Sequence, residues 1–136
     1  MAIIQWNEKF SVGVKRWDDH HKVLIDLINL LHDVLNTSLD FTAIDKIFNE
    51  LVKYVKYHFA SEEKFFDRYK YPGTHLHKKK HVEFVNFVGE SYTSLKSTGY
   101  LLAAIELFNF LREWLIEHIL KEDMKYKSFF QKMGLN

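Results

Sequence analysis

Cysteine is absent from this 136-residue chain, and proline occurs once, at Pro72. Without thiols there is no disulfide framework, no thiolate metal site and no cysteine nucleophile. An excess of either charge is lacking too. With 19 basic and 18 acidic residues the net charge is +1, so nucleic acid is not expected as the main partner. The first eight residues hold no basic segment followed by an apolar run, and no signal peptide is expected. The most apolar window, residues 100–116, carries Glu106, Asn109, Arg112 and Glu113, which excludes a membrane span. Strand-like alternation, internal repeats, low-complexity segments, Gly-rich phosphate loops and a serine triad are all missing. A cytoplasmic protein is expected.

What is present is a bulky core. Hydrophobic residues make up 47% of the chain and aromatic residues 16%. One domain spanning residues 1–136 can bury roughly two-thirds of its unfolded surface. Eight histidines are the compositional oddity.

Trp6, Phe10, Val12, Val14 and Trp17 read as an N-terminal arm over residues 1–17, with a bend at Gly13. Apolar residues then recur at helical spacing. A first helix, about 18–36, opens on acidic Asp18 and Asp19, carries Leu24, Ile28, Leu31 and Leu35, and stops at Asn36, Thr37 and Ser38. A second, about 41–69, carries Ile44, Phe48, Leu51 and Val55, then Phe65 or Phe66 and Tyr69. Pro72 in the turn Tyr71-Pro72-Gly73-Thr74 blocks its continuation. A third, about 74–96, turns Phe84, Val88, Tyr92 and Leu95 inward. After Ser97, Thr98 and Gly99 a fourth, about 100–120, presents Leu101, Ile105 or Phe108, Leu111 and Leu115. A short tail helix covers about 121–133. The fold class is therefore all-α: an up-down-up-down antiparallel four-helix bundle with an N-terminal arm and a short C-terminal helix.

Polar residues interrupt these stripes in a pattern. His58 and Glu62, four apart and so on one helix face, stand where the second helix should continue its apolar row. His21 lies one turn before Leu24, His77 and His81 extend the third stripe backwards, and His118 follows Leu115. An antiparallel bundle brings the starts of helices one and three to the same end as the ends of helices two and four. All six groups therefore converge on one level. A single inward histidine is ordinarily a core residue satisfied by hydrogen bonds, but five at one level with a glutamate call for a metal. Asp123 stands about 140° from His118 on a regular helix and joins them only if the helix breaks near Leu120–Lys121. His20 and His75 are expected outside the inward face, and His32 at the wrong height. Imidazoles and carboxylates without thiolates suit iron, zinc or copper better than calcium or magnesium. So many ligands imply two ions.

Asp18-x-x-His21, His58-Phe59-x-x-Glu62-Glu63, Tyr71-Pro72 before His77-x-x-x-His81, and Trp114-Leu115-x-x-His118-Ile119-x-x-x-Asp123 resemble the hemerythrin family, specifically its single-domain bacteriohemerythrins. Trp6 and Val12-Gly13 also fit that family's arm. The resemblance implies two iron ions: His77, His81 and His118 on one, His21 and His58 on the other. Glu62, Asp123 and an oxo or hydroxo oxygen bridge them, leaving one coordination position open on the two-histidine iron. It thus draws Asp123 into the set that spacing alone left open. Leu115 and Ile119, flanking His118, and Phe59, beside His58, are candidate walls of an apolar ligand pocket. One departure is His20, where the family often has Gln; it is expected to leave the metal unaffected.

The function that the resemblance implies is reversible O2 binding for storage, delivery or sensing, without enzymatic turnover. The alternatives are a peroxide- or nitric-oxide-reactive enzyme and a regulatory module that senses oxygen or redox state. O2 is the expected partner, and the number of subunits stays open, a monomer included.

Overall fold

Asp40 opens the longest helix in the computed structural model, its Oδ1 accepting from the backbone N–H groups of Thr42 (2.9 Å) and Ala43 (3.4 Å). Such a cap satisfies donors that the first helical turn leaves unpaired. Residues 3–37 and 40–136 are described. Met1 and Ala2 of the arm, and Ser38 of the expected first stop, lie outside the described residues. A 3-10 turn, Glu8–Phe10, precedes α1 (Lys15–Asn36), α2 (Phe41–Tyr69), α3 (Thr74–Thr98) and α4 (Tyr100–Trp114). A π-helical segment, Leu115–Asp123, continues α4 directly and passes into α5 (Met124–Lys132).

Each long helix packs on its two neighbours in a ring, α1 on α2 and α4, α3 on α2 and α4. Contacts at the ends give the directions. Trp17 Nε1, early in α1, donates to Ser61 Oγ, late in α2, at 3.0 Å. Lys78, early in α3, pairs with Asp67 at 2.9 Å. This is an antiparallel four-helix bundle, and among the described residues no helix is long and apolar enough to cross a membrane. Gly99 alone separates α3 from α4, at φ +93. A side chain there would be strained, so the reversal requires glycine.

Leu24, Ile28, Leu31, Ile44, Phe48, Leu51, Phe84, Val88, Leu95 and Leu111 are buried. Two stripes differ from expectation. Tyr92 is 40% exposed and Ser91 is buried in its place, because steps of four residues drift about 40° each and the row corrects with a step of three. Ile105 stands about 120° from Leu111. It and Leu101 lie outside, while Ala103, Ala104 and Leu107 face the core.

The arm is fastened to α1 at two points. Asn29 Oδ1 accepts from Ile3 and Ile4 N–H, and its Nδ2 donates to Ile4 O at 2.8 Å. Asp18 accepts from Ser11 Oγ (2.6 Å) and Val12 N–H (2.8 Å). Val12 is fully buried, so Asp18→Ala would strand its N–H. Urea unfolding of the metal-free variant should show a loss of about 1–3 kcal/mol; an unchanged midpoint would contradict this role.

Candidate metal centre

One end of the bundle gathers His21 from α1, His58 and Glu62 from α2, His77 and His81 from α3, and His118 and Asp123 from the π-helical segment. All are buried, none more than 3% exposed. Asp123 arrives by a route different from the break that spacing suggests. The chain continues through Leu120 and Lys121 without interruption, but in π form. Bonding from i to i+5 makes five residues about one turn. His118 and Asp123 consequently share a face, with His118 Nε2 3.0 Å from Asp123 Oδ1.

The two carboxylates divide their oxygens between two sets of imidazoles. Glu62 Oε1 lies 3.4 Å from His77 Nε2 and 3.1 Å from His81 Nε2, whereas Oε2 lies 3.5 Å from His58 Nε2. Asp123 Oδ1 lies 3.0 Å from both His77 Nε2 and His118 Nε2, and Oδ2 lies 3.2 Å from His21 Nε2. His21 Nε2 and His58 Nε2 are themselves 3.2 Å apart. These atoms form two groups able to hold a metal ion: Glu62, His77, His81 and His118 in one, His21, His58, Glu62 and Asp123 in the other.

The orientation of the atoms fits a metal better than a hydrogen-bonded core. Glu62 Oε1, both Asp123 oxygens and Nε2 of His77, His81 and His118 are buried without hydrogen-bond partners, despite the short separations. Buried polar atoms are rarely left so. Here they face common centres, as ligand lone pairs do.

Their charge balance is also unusual. Burial pushes the Glu62 and Asp123 pKa values up, but the histidines around them hold both well below the usual carboxylate range. Burial pushes His77 down, yet the Asp123 and Glu62 carboxylates outweigh it and raise His77 to about 10. His81 is raised against burial in the same way, by Glu62 and Glu63. Burial keeps His58 and His118 below the ordinary imidazole value. The raised values of His77 and His81 mark the space between the carboxylates as one that favours positive charge.

Residues around the cluster fix its rings. Phe59 stacks on His81 at 3.8 Å and 4°, Trp114 on His118 at 3.8 Å and 15°, and Tyr54 on His58 at 5.1 Å. Glu63 Oε2 lies 2.8 Å from His81 Nδ1. Tyr126 OH donates to Glu62 Oε2 at 2.5 Å in the core. Sequence reading gave Glu63 no separate role and passed over Tyr126; the one available signal was a tyrosine one turn beyond Asp123. Phe59, Leu115 and Ile119 are buried in the core beside the site. Leu115 also floors a groove beneath the arm, with Ile3, Ile4, Phe10, Ile116 and Leu120. His75 is exposed, and His32 is half-buried beside Phe108. His20 departs from expectation: it is half-buried, with Nδ1 2.8 Å from His58 Nδ1.

Residues 12–130 match the model of the hemerythrin HHE cation binding domain. The chain is 32% identical to a bacteriohemerythrin of Stenotrophomonas maltophilia over 126 residues, 93% of this chain and 80% of that one. Identity to a bacteriohemerythrin of Methylococcus capsulatus is 32% over 127 residues, 93% and 95% of the two chains. Among solved structures, that of a wild-type hemerythrin superposes with a TM-score of 0.80 at 29% identity, covering 93% of this chain and 97% of that one.

The opposed histidine shifts set a pH dependence for the metal-free fold. His77 and His81, raised, contribute fully below an unfolded pKa of about 6.5, and the His77 contribution is lost as pH climbs through about 10. His58 and His118, lowered, contribute above that unfolded value and lose their share as pH falls. The melting temperature of metal-free protein should therefore peak near pH ~6.5 and fall on both sides. A plateau extending unchanged to alkaline pH would contradict the assignment.

Proposed function

The chain belongs to the hemerythrin family, and from that premise we propose that it binds O2 reversibly at two iron ions. His77, His81 and His118 would hold one iron, and His21 and His58 the other, with Glu62 and Asp123 placed to contribute to both. The observation that carries the reading is the division of each carboxylate, one oxygen toward each set of imidazoles. A donor set of nitrogen and oxygen without thiolate supports a first-row transition metal. When bound, such an iron pair would supply the electrons for O2 binding.

The chain's own residues orient and protect. The phenol of Tyr126 restrains Glu62 Oε2, and the stacked rings of Phe59, Trp114 and Tyr54 hold three ligand imidazoles in place. Leu115 and Ile119 are buried apolar side chains flanking His118 in the chain, and they would limit the access of water and protons from the core side. The outer side of His118 opens on a pocket with Lys80, Glu83 and Glu117. Ferritin-like di-iron sites use four carboxylates and paired Glu-x-x-His motifs. Two carboxylates here would lend bound iron less negative charge, which favours retention of O2 over its cleavage.

Stopped-flow mixing of anaerobically iron-loaded protein with O2 tests the proposal. Binding that reverses under argon is the expected result; fast oxidation in place of release would favour sensing over carriage, and turnover with peroxide or nitric oxide would replace carriage with an enzyme. The Leu115→Ala variant refines the test. Truncating this core side chain should cost about 2–5 kcal/mol and, well below the unfolding transition, speed decay of the oxygenated protein. Lower stability at an unchanged decay rate would make Leu115 packing alone.

A further inference from the structure

His20 and His58 meet through like atoms, Nδ1 to Nδ1 at 2.8 Å. One of the two must donate and the other accept. His58 settles which. Its Nε2 faces His21 Nε2 at 3.2 Å and Glu62 Oε2 at 3.5 Å, on the inner side of the cluster. A metal held by that Nε2 needs its lone pair, so the proton of His58 must sit on Nδ1. His20 Nδ1 then accepts it, and His20 carries its own proton on Nε2. The Tyr57 ring, edge-on at 4.9 Å, and the Tyr54 ring stacked on His58 flank the pair.

We propose that His20 is a positioning residue: it fixes the tautomer and ring orientation of His58 and so sets the metal affinity of the two-histidine half of the centre. The contrast with the other half sharpens this. His81 meets a carboxylate, Glu63 Oε2, through its Nδ1 at 2.8 Å, whereas His58 meets a neutral imidazole. An ionised acceptor makes a stronger hydrogen bond and a more basic ligand than a neutral one. The half containing His81 therefore binds the first ion and the half containing His58 the second, more weakly. The Gln that the family often has at this position can accept the same proton, so it is the acceptor at position 20, rather than the choice of His over Gln, that bears on the metal.

The inference rests on the two-metal reading of the site but not on O2 chemistry, and zinc titration of metal-free protein tests it without O2. Wild type should take two equivalents of unequal affinity. His20→Leu, which removes the acceptor, should weaken the second equivalent roughly 10- to 100-fold, the usual effect of losing an outer partner of a ligand, and leave the first unchanged. His20→Gln, whose amide oxygen can accept the same proton, should restore it. Glu63→Gln should weaken the first equivalent instead. In nitrogen-edited NMR of the zinc-loaded protein, the His58 Nδ1 proton should be protected from exchange in wild type and His20→Gln and exposed in His20→Leu. Unchanged affinities in His20→Leu, or equal weakening of both equivalents with a lowered melting temperature, would overturn the positioning role. A wild type that takes a single zinc would overturn both this inference and the two-metal reading.

Discussion

Two carboxylates buried in an apolar bundle are the constraint on which this structure depends. Glu62 and Asp123 are fully buried, and isolated ionised groups in such surroundings cost many kcal/mol unless neutralised. No lysine or arginine reaches them among the described residues. Imidazoles from all four sides of the bundle do, and those of His77 and His81 can carry protons in place of a metal's charge. The arrangement stays electrically tolerable when empty of metal, yet it turns every inner Nε2 toward the carboxylates. A metal ion bound there would compete with protons for the same nitrogens, so its binding would tighten with rising pH.

Helix geometry does the rest. α-Helical spacing of four puts His58 with Glu62 and His77 with His81 on single faces. His118 and Asp123, five apart, need a wider helix, and the chain supplies one for nine residues before returning to α form in α5. π-Segments are uncommon and gather at functional sites. Here the widening has a visible purpose, since an α-helical continuation would turn Asp123 out of the core. It also leads the chain into α5, which carries Tyr126 back to Glu62 and packs Phe130 beside Trp17.

The bundle and its polar level were legible in the sequence because both follow from periodicity and topology. Once the helices alternate in direction, His21, His58, Glu62, His77, His81 and His118 must meet. What stayed hidden depends on neighbours rather than on spacing. Asp123, reached only through the resemblance, was hidden from spacing because it needed a helix type that apolar rows do not report, although the five-residue interval to His118 was its trace. His20 lies about 100° round the helix from His21 and reads as outside until α2 brings His58 and Tyr57 against that flank. Tyr92 and Ser91 exchange places through accumulated drift, an error that grows with each step of four.

The central claim is that one cluster is built for two ions spanned by Glu62 and Asp123. Anomalous diffraction at the iron edge, from crystals of anaerobically iron-loaded protein, tests it most directly. The account predicts two peaks per chain, one beside His77, His81 and His118 and one beside His21 and His58, with Glu62 and Asp123 each reaching both. A single peak, or a second iron lying away from His21 and His58, would contradict it.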